Sequence, residues 1–320
     1  MMSKATHEAI DGRLIEFRAE DRAVLNGFLV GHRKSDKCMI YVHGMTGNFY
    51  GGTLQFSIAE SIRKEGFSVF SINTRGHDAV SVIRRGRGRK ADRFVAGTQM
   101  ERFEDSALDI DAAIRKLKEL GFRKFVLAGH STGCQKVTYY QYKKRNRSVI
   151  GLLLLAPADD YAIYRTDLGR RFGRTVMFAK KLVRQGKGKE PTKLLPWHFS
   201  PRRFLSAADL RNVEGRIFDY DGALREFSSI TTPICAVFGK KEEYAAKPVL
   251  EYLKILRKKT KSVDFVGVLV DGAGHSFRRH NEVVSDFALR WIRTLSGKKI
   301  KMHEIVELHS KFPLALLGYS

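Results

Sequence analysis

A series of short apolar runs, most of them separated by stretches with helical periodicity, constrains the fold of this chain more than any other sequence feature. An apolar run with almost no charged residue is typical of a strand buried on both faces, as strands of a parallel sheet are. Before these runs, RLIEFRAE and AVLNGFLVG alternate in polarity and predict an antiparallel hairpin. The apolar runs occupy residues 38–42, 67–73, 124–129, 149–157, 233–239 and 262–270.

The segments between the runs predict helices that each pack an apolar stripe on the sheet. Leu54, Ile58 and Ile62 recur at helical spacing. A later helix is predicted to begin with a capping box formed by Ser106 and Asp109. Strands that alternate with helices, joined by right-handed crossovers, predict an α/β fold with a mostly parallel, doubly wound sheet.

One segment interrupts this alternation and divides the chain. Residues 159–230 are rich in basic and aromatic residues and contain no clear strand. We expect them to form a helical lid, inserted over the carboxyl edge of the sheet. The predicted division is therefore a first part of the core at 1–158, the lid at 159–230, a second part of the core at 231–297 and a C-terminal tail at 298–320.

Composition favours a cytoplasmic protein. Residues 1–20 contain no apolar segment of the kind that a secretion signal carries, and no apolar run reaches the roughly 18 residues that a membrane-spanning helix needs. Cys38, Cys134 and Cys235 are an odd number of thiols within or beside apolar runs, which is typical of buried, reduced cysteines.

The net charge of +24 is concentrated in basic runs at 84–93, 143–147, 170–174 and 256–261. Such runs attract nucleic acid, acidic lipid or an anionic substrate, or they form a solvated basic surface. They lack the interleaved aromatic residues of single-stranded nucleic-acid binders, so no specific nucleic-acid partner is predicted.

The motif GHSTG directly follows the apolar run KFVLAG and begins a segment with helical periodicity. This strand–turn–helix setting is what the Gly-x-Ser-x-Gly nucleophile elbow requires. Gly129 and Gly133 relieve crowding where the backbone reverses, so Ser131 is predicted to be a nucleophile held in a strained conformation.

A serine nucleophile needs a histidine base and an acid that orients it, in the chain order Ser, acid, His for this fold. His275 lies in VLVDGAGHSF, on the loop after the last strong strand, and is the predicted base. The alternative His280 is expected on a surface helix, whereas His43 and His130 are interpreted as structural residues of glycine-rich turns. The acid is predicted on FGKKEEY, where Glu242 is favoured and Glu243 stays open.

The developing oxyanion needs two hydrogen-bond donors, which are usually backbone amides. The amide of Thr132 follows the nucleophile at a helix N-terminus. The turn YVHGMTGN follows the first parallel strand and places the amide of Met45 at the same edge of the sheet. Met45 and Thr132 are therefore the predicted oxyanion hole.

Taken together, HGMTGN, INTRGHD, GHSTG, FGKKEEY and GAGHSF resemble the α/β-hydrolase superfamily over roughly residues 13–295. More narrowly, GHSTGCQ, LLLLAPADD, EEY and GAGHSFR resemble the group that contains fungal fusarinine C (siderophore) esterase and uncharacterised plant and microbial relatives. The resemblance implies a serine esterase with Ser131 as nucleophile, His275 as base and an acid on the KKEEY loop. That group tends to have Asp-Glu-Tyr where this chain has Glu-Glu-Tyr.

The predicted function is hydrolysis of a small-molecule carboxylic ester or thioester through an acyl-serine, with no metal or cofactor. An amidase would use the same residues. An anionic substrate is one option, since Arg165, Arg170, Arg171 and Arg174 lie in the lid. The alternative from another class is a non-catalytic protein of the same fold that binds an anionic ligand through its basic surface. The aromatic residues of the lid suggest a partly apolar pocket: Tyr161, Tyr164, Phe172, Phe178, Trp197 and Phe199.

Overall fold

A nine-stranded sheet forms the centre of the computed structural model, which describes residues 9–31, 35–296 and 303–308. Its strand order is β1-β2-β4-β3-β7-β8-β9-β10-β11, and β5 and β6 form a separate two-stranded sheet. The strands are β1 Arg13–Arg18, β2 Val24–Val30, β3 Lys37–Val42, β4 Phe67–Ile72, β5 Ser81–Arg85, β6 Asp92–Ala96, β7 Lys124–His130, β8 Val149–Leu155, β9 Ile234–Gly239, β10 Phe265–Val270 and β11 His303–Leu308.

Helices lie on both faces of this sheet. They are α1 Leu54–Ile62, α2 Ser106–Glu119, α3 Thr132–Lys144, α4 Asp160–Leu168, α5 Phe172–Arg184, α6 Pro201–Ala208, α7 Val213–Ile217, α8 Arg225–Ser228, α9 Val249–Lys259 and α10 Asn281–Ser296. Side chains of β7 alternate between two buried clusters, because successive residues of a strand point to opposite faces. Phe125 and Leu127 pack with α2, whereas Val126 and Ala128 pack in the cluster that contains α1 and α10.

Strand pairing confirms the predicted doubly wound fold. β1 pairs antiparallel with β2, and β2 pairs antiparallel with β4. From β4 to β11 every neighbouring pair in the large sheet is parallel. Since parallel strands are joined by crossovers, the loops after β3, β7, β9 and β10 all emerge at one edge of the sheet.

Between β8 and β9 the chain forms α4, α5, α6, α7 and α8, and residues 159–230, called here the insertion, contain no strand. The insertion has its own buried cluster, built around Tyr164, Phe199 and Phe204, and Met45 of the β3 loop packs against it. This contact joins the insertion to the sheet edge where the loops emerge.

Three strands lie in segments for which no strand was predicted. β5 and β6 form a hairpin within the basic run at 84–93 and its flanks, where Ile83 and Ala96 are buried and Phe94 is partly buried against the core. β11 lies in the segment predicted as a tail and pairs with β10. The rest of the predicted tail is outside the described residues.

The predicted capping box at the start of α2 is wrong. Asp105 is the N-cap residue and its side chain makes no capping hydrogen bond. The carboxylate of Asp109 is completely buried and accepts hydrogen bonds from the backbone N–H of Arg75 at 2.8 Å and from its guanidinium at 2.7 Å. Asp109 therefore fixes the loop after β4 instead of the helix end.

Candidate active site

Ser131 lies on a sharp turn between β7 and α3, with φ 54° and ψ −127°. A non-glycine residue with positive φ is strained and persists only where its surroundings hold it. A Cβ at Gly129 would lie 2.3 Å from the carbonyl oxygen of Gly133, and one at Gly133 would lie 2.2 Å from that of Val42. Both glycines are therefore required by close backbone contacts, which is the geometry expected of a nucleophile elbow.

The loop after β3 lies directly against this elbow. A Cβ at Gly44 would lie 2.8 Å from the Cβ of Ser131. His43 is buried, and its Nδ1 and the carbonyl oxygen of Gly44 are 2.8 Å apart. Its Nε2 accepts a hydrogen bond from the backbone N–H of Thr74 at 3.2 Å. His43 therefore has the structural position expected of it, and it fixes the turn that precedes Met45.

His275 is held by the two neighbouring glutamates of the β9–α9 loop. Its Nδ1 lies 2.7 Å from Oε1 of Glu242, whose side chain is 4% exposed. Its backbone N–H donates to Oε2 of Glu243 at 2.6 Å. Glu242 therefore contacts the imidazole ring, and Glu243 holds the main chain that carries it.

Two further rings enclose the imidazole. His130, the last residue of β7, has its Nε2 2.9 Å from the carbonyl oxygen of His275. The ring of Tyr244 meets that of His275 edge to face, with centroids 4.8 Å apart. His275 is thus restrained through its ring, its N–H and its carbonyl oxygen.

Burial determines the charge of the supporting histidines. Desolvation and the nearby Lys136 lower the pKa of His43 to about 3. Desolvation and the neighbouring His275 lower the pKa of His130 to about 4. Both rings are therefore neutral at physiological pH, as residues with a structural role would be. The hydrogen bond from the His275 amide lowers the pKa of Glu243, which stays ionised.

A cavity of about 760 Å³ lies between the sheet edge and the insertion. Ser131, Thr132, Met45 and His275 all line it, whereas Glu242 and Glu243 lie behind His275 and do not. Of the six aromatic residues expected in the pocket, Tyr164 and Trp197 line it. The four arginines Arg165, Arg170, Arg171 and Arg174 are exposed and do not line it. His280, the alternative base, directly precedes α10 and also lies outside.

The predictions missed two features: Asp160, a buried residue of the cavity wall, and the hydrogen bond from the backbone N–H of His275 to Glu243. A sequence signal for Asp160 existed, because PADD follows an apolar run at the edge of the sheet where ligands bind in open α/β folds. For Glu243 there was none, since which of two adjacent carboxylates reaches a ring depends on tertiary contacts.

No group of three or more His, Cys, Asp or Glu side chains within residues 9–31, 35–296 and 303–308 is arranged to hold a metal ion. None of the helices described is long and apolar enough to cross a membrane.

A family model described as "Protein of unknown function (DUF1749)" matches residues 102–290, which is more than half of the chain. The chain belongs to this family. The DUF1749 match includes Ser131, Glu242, Glu243 and His275, and Met45 lies before it. No curated protein matches the chain.

Solved structures share the fold of this DUF1749 member at low sequence identity. The siderophore hydrolase EstB from Aspergillus fumigatus is 15% identical, with a TM-score of 0.64 over 93% of this chain and 100% of that one. DcsB in complex with its substrate analogue is also 15% identical, with a TM-score of 0.63 over 90% and 100%. Est1E from Butyrivibrio proteoclasticus with bound ferulic acid is 17% identical, with a TM-score of 0.60 over 88% and 99%. The chain has the α/β-hydrolase fold, as its motifs implied.

Proposed function

We propose that this protein is a serine hydrolase that cleaves a carboxylic ester or thioester through an acyl-enzyme on Ser131. The observation that carries the proposal is the convergence of a strained serine elbow, a carboxylate-bound histidine and the His43–Met45 turn on one cavity. The names of the solved structures with the same fold, which include esterases and a siderophore hydrolase, support an ester as substrate.

In the first half of the reaction, Nε2 of His275 takes the proton of the Ser131 hydroxyl while Oγ attacks the carbonyl carbon of the ester. Glu242 holds Nδ1–H, which leaves Nε2 unprotonated and oriented, and stabilises the imidazolium that forms. Collapse of the tetrahedral intermediate breaks the bond to the alcohol oxygen, which receives the proton from His275. The acyl group stays on Ser131.

In the second half, His275 takes a proton from water, and the resulting hydroxide oxygen attacks the acyl carbon. Breaking the bond to Oγ then returns the proton to Ser131 and releases the carboxylic acid. The amides of Met45 and Thr132 are the proposed donors to the oxyanion in both halves, and losing one such donor typically costs a hundredfold to about a thousandfold in rate. Gly44 in contact with Ser131 supports the assignment of the Met45 turn.

Glutamate in the position of the acid is compatible with this role. Its side chain is one methylene longer than aspartate, and the 2.7 Å contact indicates that the loop accommodates the extra length. The second oxygen of Glu242, Oε2, is buried and has no hydrogen-bond partner in the described part of the chain. Oε1 contacts the imidazole at 2.7 Å and also accepts a longer hydrogen bond, of 3.3 Å, from the backbone N–H of Tyr244.

We also propose that the insertion acts as the lid of this site and that the protein works in a reducing compartment such as the cytoplasm. The cavity between insertion and sheet supports the first point. For the second, Cys38, Cys134 and Cys235 are free and buried. Unfolding without reductant should expose three reactive thiols per chain.

The test is a set of initial rates on nitrophenyl esters from acetate to decanoate for the wild type and Ser131→Ala, with a conformational check by circular dichroism. We expect turnover by the wild type, a loss of at least about 10⁴-fold in the variant, and an acyl adduct on Ser131 in trapped samples. Equal and negligible rates in both proteins would contradict the proposal and favour the ligand-binding alternative.

A further inference from the structure

The wall of the cavity that the insertion contributes has a different character from the wall that carries Ser131. Helix α4 presents Asp160, Ile163, Tyr164 and Asp167 to the cavity. Asp160 is only 5% exposed, and its Oδ2 is buried without a hydrogen-bond partner in the described part of the chain. A buried polar atom is nearly always hydrogen-bonded, and Asp160 lines the cavity, so a molecule in the cavity is one source of the missing partner.

Asp160 is not needed to begin its helix. The N-cap residue of α4 is Asp159, whose Oδ1 accepts a hydrogen bond from the backbone N–H of Ala162 at 2.9 Å. The carboxylate of Asp159 also accepts from the backbone N–H of Tyr220 at 3.3 Å. The capping role therefore belongs to Asp159 and leaves the side chain of Asp160 without a local function.

The nearby cations are already engaged by other carboxylates. Lys136 Nζ lies 2.8 Å from Oε2 of Glu101, and Arg203 Nη1 lies 2.7 Å from Oε2 of Glu214. Arg203 Nη2 is 3.6 Å from Oε1 of Glu101. These four side chains are 0–1% exposed and their charges balance. Asp160 is a fifth group, so this cluster has three carboxyl groups and two cations.

Desolvation raises the pKa of Asp160 well above its usual range. Glu214, Asp159 and Glu101 raise it further, and Arg203 opposes them. Burial thus favours the protonated form of Asp160, which has an O–H group to donate as well as an oxygen to accept.

We propose that Asp160 is a substrate-binding residue whose carboxyl group donates a hydrogen bond to an oxygen of the substrate outside the scissile ester. The preferred substrates are then uncharged esters with a second acceptor oxygen, such as an ether, a keto group or a second ester. This inference rests on the proposed function. Asp160 and Ser131 line the same cavity, so one substrate molecule can reach both.

The experiment compares pairs of nitrophenyl esters. In each pair, one ester has an alkyl acyl chain, and the other has an ether oxygen in place of one methylene of that chain. The position of the oxygen changes from pair to pair. The measured quantity is the ratio of kcat/KM for the oxygen-containing ester to that for its alkyl partner. A single hydrogen bond between neutral groups predicts a ratio of about tenfold in the wild type at one position of the oxygen.

Two substitutions with side chains of similar size to aspartate separate the effect of the hydrogen bond from the effect of side-chain shape. Asp160→Asn keeps a donor and an acceptor but cannot ionise, so it should retain most of the ratio. Asp160→Leu has neither, so its ratio should fall to about one. Thermal unfolding of both variants verifies that they fold. A ratio that is the same in the wild type, Asn and Leu proteins would overturn the proposal.

The pH dependence of the same ratio gives a second readout, in which the pH dependence of the shared chemical steps cancels because both esters use the same residues for them. As the pH rises through the pKa of Asp160, the wild type should lose its preference, whereas Asp160→Asn should keep it. The ionisable groups around Asp160 are Glu214, Arg203, Glu101, Asp159, Cys134 and Tyr164. A ratio with the same pH profile in both proteins would contradict a titrating donor.

An ester whose acyl chain carries an amine in place of the ether oxygen tests the opposite assignment, in which Asp160 is ionised and binds a cation. If the wild type prefers the amino ester and Asp160→Asn loses that preference, Asp160 is an ionised partner of a cation and the proposal is wrong. If no ester is hydrolysed at all, the proposed function fails separately. Calorimetric binding of the matching non-hydrolysable ketones to the wild type and Asp160→Leu then tests the Asp160 contact without turnover.

Discussion

The two walls of the cavity are built on different principles. On the sheet side, contacts from distant parts of the chain fix each histidine: His43 by Thr74, His130 by the carbonyl of His275, and His275 by Glu242. On the insertion side, Asp160 is unpaired and Trp197 is 58% exposed. The comparison teaches that contacts within the protein hold the side chains of the sheet wall, whereas the insertion wall keeps hydrogen-bonding capacity and apolar surface that the fold does not use. Under the proposed function, the first wall is preorganised for the reaction and the second is available to the substrate.

A buried ionic chain joins the two walls. Lys136 lies on α3, the helix that begins behind Ser131, and Arg203 and Glu214 lie on α6 and α7 of the insertion. Glu101, in the loop before α2, lies between Lys136 and Arg203. Gly76 makes room for it, since a Cβ there would lie 1.8 Å from its Oε2. The insertion is therefore anchored to α3 by charge, in addition to the apolar packing of Met45 against it.

The largest effects are expected when the two glutamates that support His275, Glu242 and Glu243, are replaced one at a time. Glu242→Gln should lower kcat about 10⁴-fold, because an amide no longer stabilises the imidazolium and can hold the wrong tautomer. Glu243→Gln should lower it only about tenfold, since an amide oxygen can still accept the hydrogen bond from the His275 N–H. Steady-state rates on one nitrophenyl ester measure both. The reverse order of effects would make Glu243 the acid.

The ionic chain predicts a large loss of stability when its central cation is removed. Arg203→Met leaves Glu214 buried without its partner and Glu101 with Lys136 alone, which should lower the free energy of unfolding by about 3–5 kcal/mol. Arg211→Met is the matched control, because Arg211 is exposed and pairs with Asp209 on the surface of the insertion. Urea denaturation measures both. Similar midpoints for the two variants would show that the buried chain does not anchor the insertion.

Alanine substitutions at two glycines compare backbone packing near Ser131 with backbone packing in the insertion. Gly133→Ala pushes a methyl group against the carbonyl oxygens of Val42 and His43 and should destabilise the protein by about 2 kcal/mol. In Gly173→Ala, the new methyl group has no atom within 4 Å, and Gly173 lies in α5, so stability should rise by about 0.5 kcal/mol. Unfolding curves check both signs, and a tolerated Gly133→Ala would contradict the tight elbow.

The sequence predicted the parts of the molecule that local pattern determines. Apolar runs identified the parallel strands because both of their faces are buried, and GHSTG identified the elbow because its glycines face backbone. The hairpin β5–β6 was missed because only one face is covered: Val82 and Val95 are exposed, and basic residues surround them. Its strands therefore lack the apolar signal.

The local sequence pattern could not predict the contacts of residues whose partners are distant in the chain. Asp109 has the spacing of a capping residue, yet the buried guanidinium of Arg75 binds its carboxylate. Glu242 and Glu243 are adjacent, and only the position of His275 assigns one to the ring and the other to the backbone. The unpaired state of Asp160 likewise depends on how α4 packs against α6 and α7, whose Arg203 and Glu214 pair with each other.

The smallest expected effect is that of the exposed arginines of the insertion on the salt dependence of kcat/KM. Arg165, Arg170, Arg171 and Arg174 are exposed and do not line the cavity, so they can act on an anionic ester only through their long-range field. That field is screened when the Debye length shrinks from about 30 Å at 0.01 M salt to about 3 Å at 1 M. Over this range kcat/KM for an acidic ester should fall several-fold and that for a neutral ester of equal length should stay constant. Replacing the four arginines by glutamine should remove the difference. Equal salt dependence for both esters would mean that the basic surface does not steer substrates, and selectivity would then rest on the groups inside the cavity alone.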